Sequence, residues 1–161
     1  MQERYWKYMV QLKAWIFYVD EYINVSYKWD RRINVFVAIT SSSSIAAWAI
    51  WNRYSFLWAL LIAISQVIVA IKPHLPFSKR IEILSRVSAL LQTLFNKADY
   101  QWYKISNGDL SESEINDILF DLRRQYLETV EKELSTISLP EKEVLKKIAD
   151  LKVESFFQNG Y

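Results

Sequence analysis

Two long uncharged runs separated by a short link constrain the fold of this chain more than any other feature. The runs cover residues 33–51 and 54–71, and Arg53 is the only charge between them. At ~1.5 Å rise per residue, each run would be a little under ~30 Å long as a helix, close to the hydrocarbon thickness of a bilayer. Neither run contains proline or glycine. The sequence therefore predicts a transmembrane helical hairpin over residues 33–72.

Aromatic and basic residues indicate how this hairpin would be oriented. Four aromatic residues cluster around the link, as is typical of the headgroup level: Trp48, Trp51, Tyr54 and Trp58. The basic residues are concentrated at the opposite ends of the runs: Lys28, Arg31, Arg32, Lys72, Lys79, Arg80 and Arg86. Positive residues stay on the cytoplasmic side, so we expect a membrane protein with both termini in the cytoplasm. The alternative is a buried hairpin in a soluble all-α protein, which the run of four serines at residues 41–44 favours slightly.

Composition excludes several kinds of chemistry. The chain has no cysteine, one histidine and two glycines among its 161 residues. Thiol nucleophiles, disulfides, histidine-rich metal sites and glycine-rich phosphate loops are therefore not expected. We predict that the protein is not an enzyme and that it has neither a cofactor nor a metal site.

Residues 1–32 show the apolar periodicity of an amphipathic helix. Six apolar residues recur at steps of three or four: Tyr5, Met9, Leu12, Ile16, Val19 and Ile23. One interpretation is an interfacial helix on the cytoplasmic leaflet, with Lys7 and Lys13 near anionic lipid. The other is a helix that packs on the C-terminal domain through the same face. The sequence does not decide between them.

Residues 73–161 predict a cytoplasmic helical domain, so the whole chain is expected to be all-α. One helix should begin near Ser78, end near Ile105 and be closed by Gly108. Ser111 and Glu114 form a capping box that opens the next helix. A last helix should open at Ser138, with Val144, Leu145, Ile148 and Leu151 on its apolar side.

Polar residues within the hairpin are candidates for lining a pore or packing helices together. They are Asn34, Thr40, Ser41, Ser42, Ser43, Ser44, Ser65 and Gln66. In lipid, such groups seek partners in neighbouring helices or in a water-filled path. Hydroxyls can instead bond back to carbonyls four residues earlier and simply pack. Small residues at four-residue spacing, such as Ala59 and Ala63, favour close helix association and therefore a homo-oligomer.

Four basic residues are candidates for a ligand-binding pocket: Lys79, Arg80, Arg123 and Arg124. Arginine pairs suit phosphate through bidentate hydrogen bonds. Many acidic residues are interleaved with these cations, and ordinary pairing on a solvated helix face is the alternative.

The layout of the chain resembles a known family. Residues 27–34 read Tyr-Lys-Trp-Asp-Arg-Arg-Ile-Asn and lead into a serine-containing run, a very short link and a second run that ends in Ile71-Lys72-Pro73. This arrangement is similar to the SLATT-type two-transmembrane effectors of bacterial anti-phage defence. The resemblance implies a protein of the bacterial inner membrane that permeabilises this membrane or opens a channel in it. It also implies control by a nucleotide or oligonucleotide ligand, or by a nucleotidyltransferase partner encoded nearby.

Together these features predict an oligomeric membrane effector or channel that acts in the lipid bilayer. The alternative is a non-conducting membrane anchor or adaptor whose helical tail docks a partner protein.

Overall fold

The computed structural model describes residues 1–50, 55–72, 77–137 and 139–160, with side chains at all of these except 41–50, 55, 58, 77 and 78. This part of the chain is helical and contains no strand. The all-α prediction is therefore confirmed. The transmembrane hairpin predicted for residues 33–72 is not supported, because no helix in the described ranges combines the length and the apolarity that crossing a membrane requires. The link at residues 51–54 lies outside the described residues.

The helices are long and few. In chain order they are α1 (Gln2–Ile50), α2 (Ser55–Ile71), α3 (Phe77–Ser106) and α4 (Glu112–Tyr126), then a π-helical turn (Leu127–Glu131), a single turn α5 (Lys132–Leu134) and α6 (Glu143–Gly160).

The chain divides into two compact units, which are described separately. Unit 1 contains residues 1–24 and 82–161, and unit 2 contains residues 25–81. The division falls within α1 and near the start of α3. The helix predicted for residues 1–32 does not end at residue 32. Instead α1 is one unbroken helix of 49 residues, from Gln2 to Ile50. No proline or glycine interrupts this stretch, and the charges at residues 30–32 are compatible with a helix.

The apolar face of the first half of α1 is buried in unit 1. Tyr5, Met9, Leu12, Ile16 and Val19 are all at most 3% exposed. Ile23 is only half-buried, and its neighbour Tyr22 is buried instead. This face is thus covered by protein, as the packing interpretation predicts, and the interfacial interpretation is wrong for it.

Two hydrogen bonds fix this half of α1 against α3. The Tyr5 hydroxyl donates to the carbonyl oxygen of Ala98 at 3.0 Å. The Gln2 amide donates to the carbonyl oxygen of Ile105 at 2.8 Å, near the C-terminal end of α3. The Trp102 ring also stacks on Tyr5, with the ring centroids 6.2 Å apart. Because the Tyr5 hydroxyl is the polar end of a large side chain, the Tyr5 ring remains in the core while the hydroxyl is paired.

The other helices of unit 1 contribute one stripe each to the core. In α3 and α4 the buried residues of these stripes are Leu84, Leu91, Leu94, Phe95, Ala98, Ile105, Ile115, Leu119 and Leu122. The prediction for α6 is partly wrong. Leu145 is buried, but Val144 and Leu151 are 69% and 67% exposed, and Ala149 and Val153 form the buried face. This register also places Phe156 and Phe157 on the inner side, where their rings pack against Phe95.

The predicted capping box at the start of α4 is present. The Ser111 backbone N–H donates to the Glu114 carboxylate at 2.8 Å, and the Glu114 N–H donates to the Ser111 hydroxyl at 3.3 Å. The Ser111 hydroxyl, which donates to the Glu114 carboxylate at 2.7 Å, and the Ser111 backbone N–H together hold the pKa of Glu114 below its usual value. At the other side of the turn, Gly108 has φ +77°, a left-handed conformation that glycine adopts without strain. Ser138 lies outside the described residues, and α6 begins at Glu143.

Replacing Ser111 by alanine should lower the free energy of unfolding by about 1 kcal/mol, because the Glu114 backbone N–H loses its acceptor and the Glu114 carboxylate loses the hydroxyl donor. Thermal or urea unfolding followed by circular dichroism measures the change. Ser113→Ala is the matched control, since Ser113 is an exposed serine in the first turn of the same helix. Equal losses for both variants would contradict a capping role for Ser111.

Candidate functional site

The surface of α2 is the most unusual feature of unit 2. This helix has 17 residues and no charge. Its large apolar side chains are mostly exposed: Phe56, Leu57, Leu60, Leu61, Ile64, Val67, Val69 and Ile71. Ser65 is buried at 2% exposure and marks the inner side of the helix. At ~3.6 residues per turn, the exposed positions of α2, counted with the exposed alanines and Gln66, cover an arc of roughly 280° around the helix axis, and Ser65 lies in the remaining sector.

The part of α1 in unit 2 also presents apolar residues. Val35 and Ile39 are 49% and 58% exposed, and Ala38 is exposed as well. Thr40 is buried at 6% exposure. Unit 2 therefore exposes apolar side chains on both of its main helices.

Two of the predicted pore or packing residues satisfy their hydroxyl groups within their own helix. The Thr40 hydroxyl lies 2.9 Å from the carbonyl oxygen of Phe36 and 3.0 Å from that of Val37. The Ser65 hydroxyl donates to the carbonyl oxygen of Ile62 at 3.1 Å. At these positions the geometry is that of hydroxyls that pack. Ser41, Ser42, Ser43 and Ser44 lie in α1, but their side chains are outside the described ones.

Asn34 connects α1 to the residue that follows α2. Its amide donates to the Asp30 carboxylate at 2.9 Å, and its carbonyl oxygen accepts a hydrogen bond from the ammonium of Lys72. Lys72 directly follows α2, so this chain of polar contacts ties the end of α2 to α1. Gln66 behaves differently, because its side chain is exposed on the outer surface of α2.

The four predicted basic residues are divided between the two units. Lys79 is exposed and Arg80 is half-buried, and both belong to unit 2. The Nε atom of Arg80 is buried and makes no hydrogen bond within the described residues. Arg123 and Arg124 belong to unit 1.

Both arginines of unit 1 already have partners. The Arg123 guanidinium lies 5.5 Å from the centre of the Tyr8 ring. Arg124 forms a 2.6 Å salt bridge with Asp121, which also accepts a hydrogen bond from Lys97 at 3.0 Å. The Lys97 and Arg124 contacts hold the pKa of Asp121 below its usual value. Arg124 is thus paired with an acidic side chain of its own helix. Such pairing is the alternative to a phosphate pocket given in the sequence analysis.

Sequence reasoning missed a buried lysine in unit 1. Lys13 is 7% exposed, and its ammonium lies 4.2 Å, 4.4 Å and 5.3 Å from the ring centres of Phe156, Phe95 and Phe17. Such distances place the cation within reach of the negative faces of the rings. Burial lowers the pKa of Lys13, and the carboxylates of Asp20 and Asp99 partly oppose this shift. The sequence does contain one signal for the burial of Lys13, which is its position on the apolar face of α1. Lys13 follows Met9 by four residues and precedes Ile16 by three.

Comparison of the chain with protein-family models, curated proteins and solved structures finds no match. The resemblance to the SLATT-type effectors therefore stays a prediction.

Replacing Lys13 by methionine should raise the free energy of unfolding at pH 7 by about 1 kcal/mol, because an apolar side chain of similar length replaces a desolvated charge. Thermal unfolding of the full-length protein measures this. Lys7→Met is the control, because Lys7 is exposed and paired with Glu3. A loss of stability in Lys13→Met would instead show that attraction to the rings outweighs desolvation.

The difference in unfolding free energy between the wild type and Lys13→Met should also depend on pH. Because the folded-state pKa of Lys13 lies below its ordinary value of 10.5, the unfolded chain binds more protons between the two pKa values. Wild-type stability therefore gains from this residue as pH rises through that window, and the gain is complete above 10.5. The advantage of Lys13→Met should shrink accordingly, whereas the Lys7→Met difference should show no such trend.

Proposed function

We propose that this protein is a membrane effector whose unit 2 inserts into the bacterial inner membrane and assembles with other copies, making the membrane permeable when triggered. In this proposal unit 1 remains in the cytoplasm as a helical bundle. The observation that carries the proposal is the exposed apolar arc of α2. A helix that is apolar over most of its circumference is typical of a membrane segment or a buried core element.

The amount of apolar surface exposed on α2 indicates that lipid or another protein surface would cover this helix. Eight large apolar side chains of α2 are at least 36% exposed. Complete burial of one such side chain is worth roughly 1.5–3 kcal/mol. Covering all eight would therefore contribute on the order of 10 kcal/mol per chain. Lipid can provide this cover over a continuous surface, and contiguous exposed apolar patches mark membrane or protein interaction sites.

The length of α2 suits a thinned bilayer better than an undistorted one. Its 17 residues correspond to roughly 25 Å, whereas a typical hydrocarbon core is ~30 Å thick. Local thinning of the bilayer corrects such a mismatch at a modest energetic cost. A local thinning would itself favour leakage around an assembly of several hairpins.

Assembly of copies is supported by one side of the exposed arc. Ala59, Ala63, Gln66 and Ala70 are all exposed and recur at steps of four, three and four. Small residues at such spacing allow the backbones of two helices in lipid to approach closely. Gln66 would bring an amide to the same contact, where it would seek a neighbouring copy or water.

The alternative function, a non-conducting anchor or adaptor, is favoured by a different observation. The hydroxyls of Thr40 and Ser65 are satisfied by carbonyls of their own helices, so neither needs a water-filled path. A hairpin whose polar groups were all satisfied in this way would hold unit 1 at the membrane without conducting. Gln66 is the residue that separates the two functions.

The trigger remains a prediction that rests on the family resemblance alone. It would be a nucleotide or oligonucleotide ligand, or a nucleotidyltransferase partner encoded nearby. Examination of the neighbouring genes tests the partner, and titration of the full-length protein with nucleotides tests the ligand.

Insertion of α2 can be tested by placing charges on its exposed surface. The double variant Ile64→Lys, Val67→Lys should leave the membrane fraction after an alkaline carbonate wash, because each lysine in the hydrocarbon region costs roughly 3 kcal/mol. Val144→Lys, Leu151→Lys is the matched control, since these residues are equally apolar and exposed but lie on α6. The control should stay with the membrane. Recovery of the wild type from the soluble fraction without detergent would overturn the proposal.

Conduction can be tested separately with reconstituted liposomes. Gln66→Leu should reduce potassium leakage at least tenfold while insertion and crosslinked oligomer size stay unchanged, because only the exposed amide is removed. Gln158→Leu, which changes an exposed amide on α6, should leak like the wild type. Leakage that survives in Gln66→Leu would remove this residue from the conducting path. A wild type that inserts but never leaks would favour the anchor.

A further inference from the structure

Unit 1 contains an open cleft that the membrane function does not use. Its volume is about 500 Å³, and it lies between one face of α1, the segment before α6 and the first turns of α6. Small-molecule sites commonly have volumes of roughly 300–1,000 Å³. Ala14 on α1 and Ala149 on α6 both line the cleft. Their small side chains leave open the space that a larger residue would fill.

One wall of the cleft is aromatic and held in place. Trp15 and Tyr18 line it, and their rings meet edge to face with centroids 5.8 Å apart. Tyr18 is fixed further, because its hydroxyl accepts a hydrogen bond from the backbone N–H of Lys142 at 3.1 Å. The wall therefore presents a fixed aromatic surface to the contents of the cleft, rather than a flexible one.

The charged groups at the rim favour a positive ligand. Lys146 lines the cleft, but its ammonium is engaged by Glu141 at 3.0 Å. Three carboxylates, those of Glu141, Glu143 and Asp150, surround this one ammonium and raise the pKa of Lys146. Asp150 also lines the cleft, and its carboxylate makes no hydrogen bond or salt bridge within the described residues. An anion entering here would have to displace Glu141 from Lys146, whereas a cation could pair with Asp150, which attracts Lys146 without forming a salt bridge with it.

We propose that this cleft binds a small organic cation, with its apolar body against Trp15, Ala14 and Ala149 and its charge at Asp150. The aromatic wall would attract the cation electrostatically as well as through apolar contact. This binding site is independent of the proposed membrane function, since none of its residues belongs to unit 2.

Three probes of similar shape and different charge test the proposal: 2-phenylethylamine, 2-phenylethanol and 3-phenylpropionate. Binding to the full-length protein in one detergent is measured by isothermal titration calorimetry. The amine, which is protonated at pH 7, should bind about tenfold more tightly than the alcohol, and the carboxylate should bind most weakly. Asp150→Asn should reduce the affinity for the amine to that for the alcohol and leave the affinity for the alcohol unchanged.

Two further variants complete the design. Ala149→Leu should weaken binding of all three probes, because it fills the cleft. Asp109→Asn is the control, because it removes an exposed carboxylate in the turn between α3 and α4 and should have no effect. Equal affinities for the three probes, tightest binding of the carboxylate, an unchanged preference in Asp150→Asn, or no binding of any probe at millimolar concentration would each overturn the proposal.

Discussion

Unit 1 depends on the burial of one stripe of α1, because each of its other long helices contacts this segment. Tyr5 binds the backbone of α3, and Trp6 packs edge to face against Phe157 of α6 with centroids 4.9 Å apart. Arg123 of α4 lies over the ring of Tyr8. In most proteins the stability of a helix comes from the packing of its apolar face rather than from intrinsic propensity. The contacts with α3, α4 and α6 therefore stabilise the first half of α1 as a helix, and the same contacts connect these three helices through α1.

The apolar periodicity of the sequence predicted this stripe well, because the stripe depends only on the spacing of residues within one helix. No breaker interrupts residues 2–24, so a step of three or four residues identifies a single face, and five of its six predicted members are buried. The ends of α3 and α4 were predictable for a similar reason, since Gly108 and the pair Ser111 and Glu114 act on their immediate neighbours. Interactions between residues adjacent in sequence can be read from the sequence directly.

The errors concern contacts between residues distant in sequence. In α6, Val144 and Leu151 fit an apolar stripe as well as Ala149 and Val153 do, and the choice is made by Phe156 and Phe157, whose rings pack on other helices. Lys13 looked like a cation for lipid because the phenylalanines that surround it come mostly from α3 and α6. A lysine on an apolar face is compatible with an interfacial position and with an aromatic cluster. Only the packing of distant helices distinguishes these two cases.

The polar residues of unit 2 differ in what they imply about function. The short side chains of serine and threonine can reach a carbonyl three or four residues back, which satisfies the hydroxyl inside its own helix. Thr40 and Ser65 do this, so their presence in an apolar helix has little energetic cost and implies little about function. The amide of a glutamine has two donor hydrogens and an acceptor oxygen. Since Gln66 is exposed among apolar side chains, these groups need water or another chain wherever lipid covers the rest of α2. An exposed amide of this kind is tolerable in lipid only where water reaches it, as it would along a conducting path. In the proposed membrane state, close approach of the copies therefore rests on Ala59, Ala63 and Ala70, whereas Gln66 is the polar side chain that needs the water.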